Sequence, residues 1–234
     1  MSFGTKNVVV EEKKSLGISY GILKLKLMDF AFKASTKSPE KKQLEFFVED
    51  DTPVGEDGYE YEGVFGKRKA QNKSGRIAAT IYFDPSNDTA TTGTLLKSLA
   101  TLADKTNCRA ELDAVETDTF EDYLKKAFKV VGNKYAYFAI RAEEYISQSS
   151  GKVGINRSFK TWGKESPWII FPVDGSTVTK EGNKQTLTSA DGKTFTWDKD
   201  NQYDYKPFVK PDADPLPIDV SGTSTAPNLN ELPF

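Results

Sequence analysis

The sequence contains no histidine and a single cysteine, Cys108, among its 234 residues. The absence of histidine excludes Ser-His-Asp and Cys-His catalysis and every metal site that needs an imidazole ligand. One thiol forms neither an internal disulfide nor a cysteine zinc site, and it fits a reducing compartment. Carboxylate-held Mg²⁺ stays open because 34 acids are present, although no acid spacing is typical of a metal site. We therefore expect a binding protein without a cofactor, and not an enzyme.

Long apolar runs are also absent from the sequence. No stretch approaches the roughly 20 residues of a membrane-spanning helix, and the start, MSFGTK, lacks the apolar core of a signal peptide. From these two absences we expect a cytoplasmic protein without a membrane partner.

The charge of the chain is distributed unevenly. The formal net charge is −2, which by itself argues against binding a polyanion. Residues 211–234, however, contain no base and four acids: Asp212, Asp214, Asp219 and Glu231. The rest of the chain therefore carries a small positive charge, and it can bind nucleic acid if its bases share one face.

The hydrophobic pattern changes period along the chain. Alternation of apolar and polar residues predicts a polar hairpin over 176–198 and strands over 17–34, 43–49, 59–66, 75–83, 134–147 and 168–173. We expect 59–66 and 75–83 to pair as a hairpin around the basic connection 67–74. Leucines and rings at helical spacing predict helices over 94–105 and 118–131. Pro-rich, aromatic-poor sequence predicts a disordered tail over 208–234.

This order of elements predicts a mainly β, α+β fold. Four or five strands, a helical insertion at about 93–131 and further strands are typical of an OB-fold-like five-stranded barrel with extra hairpins, which holds single nucleic-acid strands on its face and loops. We expect one such nucleic-acid-binding domain over 1–207. The same order of elements also fits other α+β folds.

Two segments combine basic and aromatic residues without acids. The first, 64–76, follows an acidic stretch and is expected to project as a positive loop; its candidate residues are Phe65, Lys67, Arg68, Lys69, Lys73 and Arg76. The candidates of the second, 147–164, are Lys152, Arg157, Phe159, Lys160, Trp162 and Lys164. Lys24 and Lys26, on the polar side of the first strand, extend the same groove. In such a groove cations follow the phosphates and rings stack on unpaired bases, at about 1–3 kcal/mol per base.

Each of these groups also has a simpler structural interpretation. The bases of 67–76 are equally expected at a solvated hairpin tip, because charge runs usually keep proteins soluble. Phe159 and Trp162 are alternatively part of the core, and Lys24 and Lys26 part of an ordinary solvent face. Only in combination with the end of the chain do these groups favour a nucleic-acid interface.

The chain ends in Glu231, Leu232, Pro233 and Phe234. An exposed terminal phenylalanine joins an apolar ring to the α-carboxylate, and a partner with a small apolar pocket rimmed by Lys or Arg can hold both. This ending resembles the tails of bacterial and phage single-stranded-DNA-binding proteins, which close with acids, an apolar residue, Pro and Phe. At Asn228 and Asn230 the sequence has amides where that family usually has more acids.

The resemblance implies sequence-independent binding and protection of single-stranded DNA in replication or recombination, in the host cytoplasm if the source is a bacteriophage. It also implies that the acidic tail occupies the basic groove when DNA is absent and that its tip recruits replication or recombination proteins. The rival hypothesis is a structural or assembly protein of a virion with no preference for single strands, which the many Thr, Ser and Asn residues fit. A carboxylate-metal nuclease and a sugar-binding module fit the sequence less well.

Overall fold

The computed structural model describes residues 20–34, 42–51, 59–70, 76–83, 90–147, 150–163 and 165–209. Its strands are β1 (Gly21–Ala34), β2 (Lys42–Asp50), β3 (Tyr59–Gly63), β4 (Gly66–Ala70), β5 (Arg76–Phe83), β6 (Tyr135–Ile146), β7 (Val153–Phe159), β8 (Ile170–Phe171), β9 (Thr177–Glu181), β10 (Lys184–Thr188), β11 (Thr194–Asp198) and β12 (Tyr205–Lys206). Its helices are α1 (Ala90–Lys105), α2 (Arg109–Asp113) and α3 (Phe120–Val131). The chain is therefore mainly β, with its helices between β5 and β6, as the sequence predicts.

Strand β6 lies at the centre of the main sheet. On one edge it pairs with β1 through its first half and with β12 through its second half. On the opposite edge it pairs with β8 and then with β7. Strands β2 and β5 continue the sheet beyond β1, and all of these pairings except the short β12 contact are antiparallel.

The main sheet is not closed into a barrel. Strands β5 and β7, at the two ends of the strand order, lie close to each other. No ladder of hydrogen bonds joins them in the described part of the chain. Of the five-stranded, OB-fold-like barrel expected from the sequence, the structure therefore shows a largely antiparallel sheet whose outer strands approach each other.

The predicted hairpin around residues 67–74 is wrong. Strand β3 pairs with β4, and β5 pairs with β2 instead. The β3–β4 ladder places Glu62 opposite Lys67, so charges of opposite sign face each other there. Gly66, with a φ of 94°, supplies the left-handed backbone that the short turn requires. Opposite charges across a tight turn thus favour the pairing of β3 with the nearer strand, β4, over pairing with β5.

The helices pack on one face of the main sheet. Alternate residues of β1, β2 and β6 meet the apolar faces of α1 and α3, and the largest fully buried side chains are Leu25, Leu27, Phe30, Leu44, Phe46, Phe138, Leu95, Leu99, Leu102 and Leu124. The rings of Phe46 and Phe128 stack with centroids 5.8 Å apart. Helix α3 begins after Thr119, whose hydroxyl accepts a hydrogen bond from the Asp122 N–H. This layer forms the larger core of the protein.

Strands β9 to β11 form a three-stranded meander that covers part of the opposite face. Ile22 and Ala139 lie opposite each other in the β1–β6 ladder and are buried with Leu187, Phe195 and Trp197 of the meander. The indole Nε1 of Trp197 donates to the Ile140 carbonyl at 3.0 Å. The Gln185 Oε1 accepts from the Ile22 N–H at 2.7 Å. These contacts fix the meander over the beginning of β1.

Candidate nucleic-acid interface

Lysines and tyrosines alternate across the part of this sheet face that lies beside the meander. Lys26 is opposite Tyr135, and Lys24 is opposite Tyr137, in the β1–β6 ladder. The Nζ atoms of Lys24 and Lys26 lie 5.3 and 5.2 Å from the centroid of the Tyr135 ring. Because residues directly opposite each other share a face, the four side chains form one continuous row.

The row continues to an exposed tryptophan. Phe171 of β8 lies opposite Tyr137 on the other edge of β6. The Trp162 ring centroid is 6.5 Å from that of Phe171 and 5.5 Å from that of Phe195, in edge-to-face arrangements. Trp162 is 60% exposed, whereas Phe171 and Phe195 are buried beneath it. We call Lys24, Lys26, Tyr135, Tyr137 and Trp162 the lysine–tyrosine strip.

Each lysine of the strip has an acidic partner on β2 or directly after it. The Lys24 Nζ lies 3.0 Å from Asp51 Oδ2, and the Lys26 Nζ lies 3.2 Å from Glu49 Oε1. The hydrogen bond to Asp51 raises the pKa of Lys24 above its usual value. Phosphates that approach the strip must therefore compete with two carboxylates, of which Glu49 is buried.

Residues 64–70 of the first predicted segment form the turn and the second strand of the β3–β4 hairpin. In β4, Lys67 lies 4.0 Å from Glu62 of β3, and the Arg68 guanidinium lies 5.6 Å from the centroid of the Phe65 ring. Phe65 itself is half-buried against the main core. Its N–H donates to the buried carboxylate of Asp29, at 3.2 Å to Oδ2. Residues 64–70 therefore belong to a hairpin that is attached to β1 and in which Lys67 has an acidic partner.

Other candidates of the first segment are less fully described. The backbone of Lys69 lies in β4 opposite Glu60, and that of Arg76 lies in β5 opposite Phe47. Lys73 lies outside the described residues. The structure therefore places Lys67, Arg68 and Lys69 on one strand, whereas Arg76 begins another.

Two candidates of the second segment belong to the protein interior. Phe159 is 7% exposed and stacks on Trp168 with centroids 4.3 Å apart. This burial is a correction to the expectation that Phe159 stacks on bases, because its ring packs on protein. Lys160 forms an ion pair with the buried Asp204, and its Nζ also lies 5.9 Å from the Phe195 ring centroid. The ammonium of Lys160 therefore neutralises an internal acid.

The remaining candidates lie apart from one another. Lys152 is exposed at the beginning of β7, and Arg157 is half-buried near its end. Lys164 lies outside the described residues, as do the four tail residues at 231–234. Trp162 alone of the second segment joins Lys24 and Lys26 in the strip.

Arg157 differs electrostatically from the other cations. Burial lowers the pKa of its guanidinium below the usual arginine value. Its Nε is buried and has no hydrogen-bond partner in the described part of the protein. Arg157 also lines a cavity with Tyr20 and Trp197, together with two lysines that sequence reasoning missed, Lys180 and Lys199.

Sequence reasoning also did not assign Tyr135 and Tyr137 to the interface. Tyr135 and Tyr137 alternate with apolar residues in the sequence, but many other strands show the same alternation. The informative signal is the pairing of Tyr135-x-Tyr137 with Lys24-x-Lys26, and this pairing joins segments more than one hundred residues apart. Only the register of the sheet brings the two patterns together.

Comparison of the chain with protein-family models and with curated proteins gives no match. No described helix is both long and apolar enough to cross a membrane. Within the described ranges, no group of three or more Cys, Asp or Glu side chains is arranged to hold a metal ion.

Proposed function

We propose that this protein binds single-stranded DNA without strong sequence preference. The observation that carries the proposal is the lysine–tyrosine strip, in which cations and partly exposed rings alternate on one sheet face. Rings accept any base because every base has a flat face, and cations follow the phosphates. The double helix hides those base faces, so the strip favours single strands over duplex.

The geometry of the strip fits an extended strand. Tyr135 and Tyr137 are two residues apart on β6, so their Cα atoms lie about 6.7 Å apart along the strand and their side chains are on the same face. This spacing lets two neighbouring unstacked bases each contact a ring of their own. Trp162, beyond Phe171, offers a third and more exposed ring for the next part of the strand.

The fold that we propose for this function is a partly open, OB-type barrel. The order β6-β1-β2-β5, with β7 on the other edge of β6 and close to β5, supports it. The helices α1 to α3 form an insertion between β5 and β6. Barrels of this type bind oligonucleotides on a strand face and adjoining loops.

The proposal includes a role for the tail. Its acids would compete with DNA for the strip, and its end, Glu231 to Phe234, would recruit replication or recombination proteins. A chain that stops at residue 207 is then expected to bind DNA more tightly at low salt and to lose its partners. Unchanged affinity and unchanged partner binding in that truncated chain would exclude this role.

The decisive experiment is fluorescence anisotropy of labelled oligo-dT titrated with the full chain across a salt series, with duplex as the competitor. We expect tight binding that weakens with salt and resists duplex, and the salt slope reports the number of phosphate contacts. The double variant Lys24→Gln/Tyr137→Ala removes one charge and one ring from the strip, and about tenfold weaker binding is expected. The matched control, Lys184→Gln/Tyr203→Ala, removes the same groups outside the strip and is expected to bind normally.

One surface favours the alternative of an assembly protein. The outer face of the meander carries two rows of threonines in register: Thr177, Thr188 and Thr194, and Thr179, Thr186 and Thr196. Such rows of small, uncharged side chains are suited to repeated packing against other copies. If oligo-dT does not bind even at low salt and ultracentrifugation shows a defined oligomer, the assembly function replaces the proposed one.

A further inference from the structure

A basic cavity lies between the meander, the beginning of β1 and strand β7. Its volume is about 660 Å³, within the range of small-ligand sites. Tyr20, Arg157, Lys180, Trp197 and Lys199 line it. None of these residues belongs to the lysine–tyrosine strip, so the cavity is a second candidate site.

Three cations line the cavity without an acid beside them. No acidic side chain is found among the described residues of the lining. None of the cations Arg157, Lys180 and Lys199 has a carboxylate within ion-pair distance in the described ranges. The positive charge of Lys199 helps to lower the pKa of Glu144. Both carboxylate oxygens of Glu144, however, already accept hydrogen bonds, from the Tyr205 hydroxyl and the Phe208 N–H. The positive charge of the cavity is therefore available to a ligand.

Arg157 has the strongest need for an anionic partner. Its Nε atom is buried and makes no hydrogen bond to any described residue. A buried N–H donor without an acceptor costs folding free energy, and such donors are rare in folded proteins. A phosphate offers several acceptor oxygens to the fork of guanidinium N–H donors.

The walls of the cavity are fixed before any ligand arrives. The Tyr20 ring centroid lies 5.7 Å from that of Trp197 and 5.1 Å from that of Tyr205. Trp197 is held by its hydrogen bond to the Ile140 carbonyl, and the Lys199 Nζ lies 5.0 Å from the centroid of the Tyr205 ring. A preformed wall lowers the ordering cost of binding. Tyr20, which is half-buried, presents part of its ring to the cavity.

We propose that this cavity binds a nucleotide, with the phosphate on Arg157, Lys180 and Lys199 and the base against Tyr20. The shared chemistry is a phosphate ester, and its source is either a free nucleotide or a nucleotide within a strand. The site does not depend on the strip for its ligand, because the strip residues do not line it.

The test is isothermal titration of the full chain with thymidine 5′-monophosphate, thymidine and inorganic phosphate. We expect the monophosphate to bind at least about tenfold more tightly than thymidine, because the nucleoside lacks the charge that the three cations recognise. Arg157→Met is expected to lose this binding, whereas the control Lys193→Met, on the meander outside the cavity, keeps it. Equal binding of thymidine and its monophosphate, or undiminished binding by Arg157→Met, would overturn the proposal.

A second variant guards against a folding defect. Arg157→Met removes an unpaired, half-buried charge, so its melting temperature is expected to equal or exceed that of the parent chain. If this variant does not fold, the double variant Lys180→Met/Lys199→Met removes two cations from the same cavity. It is expected to weaken monophosphate binding by about tenfold or more, and wild-type binding by that variant contradicts the proposal.

The two sources of the phosphate are separated with oligo-dT. If Arg157→Met loses both the monophosphate and affinity for oligo-dT, the cavity holds a nucleotide of a bound strand. If it loses only the monophosphate, the cavity holds a free nucleotide. If the monophosphate does not bind, only the cavity proposal is excluded, because oligo-dT binding through the strip is measured independently.

Discussion

The cations of the lysine–tyrosine strip and those of the cavity are held in opposite ways. Lys24 and Lys26 each have a carboxylate partner within 3.2 Å. Arg157, in the cavity wall, has none among the described residues, and burial lowers its pKa. An ion pair holds a lysine in position at little cost in free energy. A ligand must then compete with the paired carboxylate for the charge of that lysine. An unpaired arginine is costly in the free protein and offers its full charge.

Because of this difference, we expect loss of a strip lysine and loss of Arg157 to have different effects on the stability of the protein and on its binding of ligands. Loss of Lys24 or Lys26 leaves its carboxylate partner without that ion pair. We therefore expect such a loss to reduce stability as well as binding. Loss of Arg157 removes a cation that has no carboxylate partner among the described residues, so we expect it to affect binding alone. Three predictions test this comparison.

The largest effect is expected from the exposed ring of the strip. Trp162→Ala removes a side chain that is 60% exposed, so the fold is expected to survive. Loss of one stacking platform costs about 1–3 kcal/mol, which is roughly five- to 150-fold in oligo-dT affinity. Anisotropy measures this loss. Tyr203→Ala is the matched control, because Tyr203 is 69% exposed and lies outside the strip. Equal affinities of the two variants would remove Trp162 from the interface.

A contrast in stability is the next effect. Lys26→Met leaves Glu49 without its partner at a buried position, and we expect a loss of about 1–3 kcal/mol in the free energy of unfolding. Arg157→Met is expected to leave this free energy unchanged or to raise it. Urea unfolding of both variants measures the contrast. A larger loss in Arg157→Met than in Lys26→Met would show that Arg157 has a structural partner.

The smallest effect is a gain of affinity. Asp51→Asn frees Lys24 from its ion pair, and oligo-dT binding is expected to tighten by about two- to fivefold at low salt. The gain should disappear at high salt because screening weakens both competing interactions. The control is Asp113→Asn, which removes the same charge on the helical side and leaves Arg109 with its second partner, Asp104. A gain in the control equal to that of Asp51→Asn would mean that net charge, and not the strip, sets the affinity.

Local patterns in the sequence were sufficient to locate the elements. Strand β6 lies within the predicted range 134–147, and α3 lies within 118–131. Both have a strong period along a single segment, and such periods reflect which face is buried. The sequence therefore indicated where strands and helices form, and in what order.

The pairing partners of the strands, and the buried or exposed state of single side chains, could not be predicted in the same way. Phe159 and Trp162 are three residues apart and equally aromatic, yet one is buried and the other exposed, because β7 ends between them. The acidic β3 was separated from the basic β4 in our interpretation, although their opposite charges are the reason that they pair. The cavity was missed because its residues come from β7 and the meander, which meet only in the tertiary structure.

The central position of β6 has a consequence for how the chain folds. Its pairing with β1 begins at Gly21, and its pairing with β12 is complete only at Lys206. A ribosome therefore releases most of the chain before the central strand has all of its neighbours. Loops this long make such contacts slow to form, so we expect folding on the millisecond-to-second scale that is typical of non-local β topologies. During that interval the edges of β6 are open to other chains, and fast synthesis at high concentration would favour aggregation over folding.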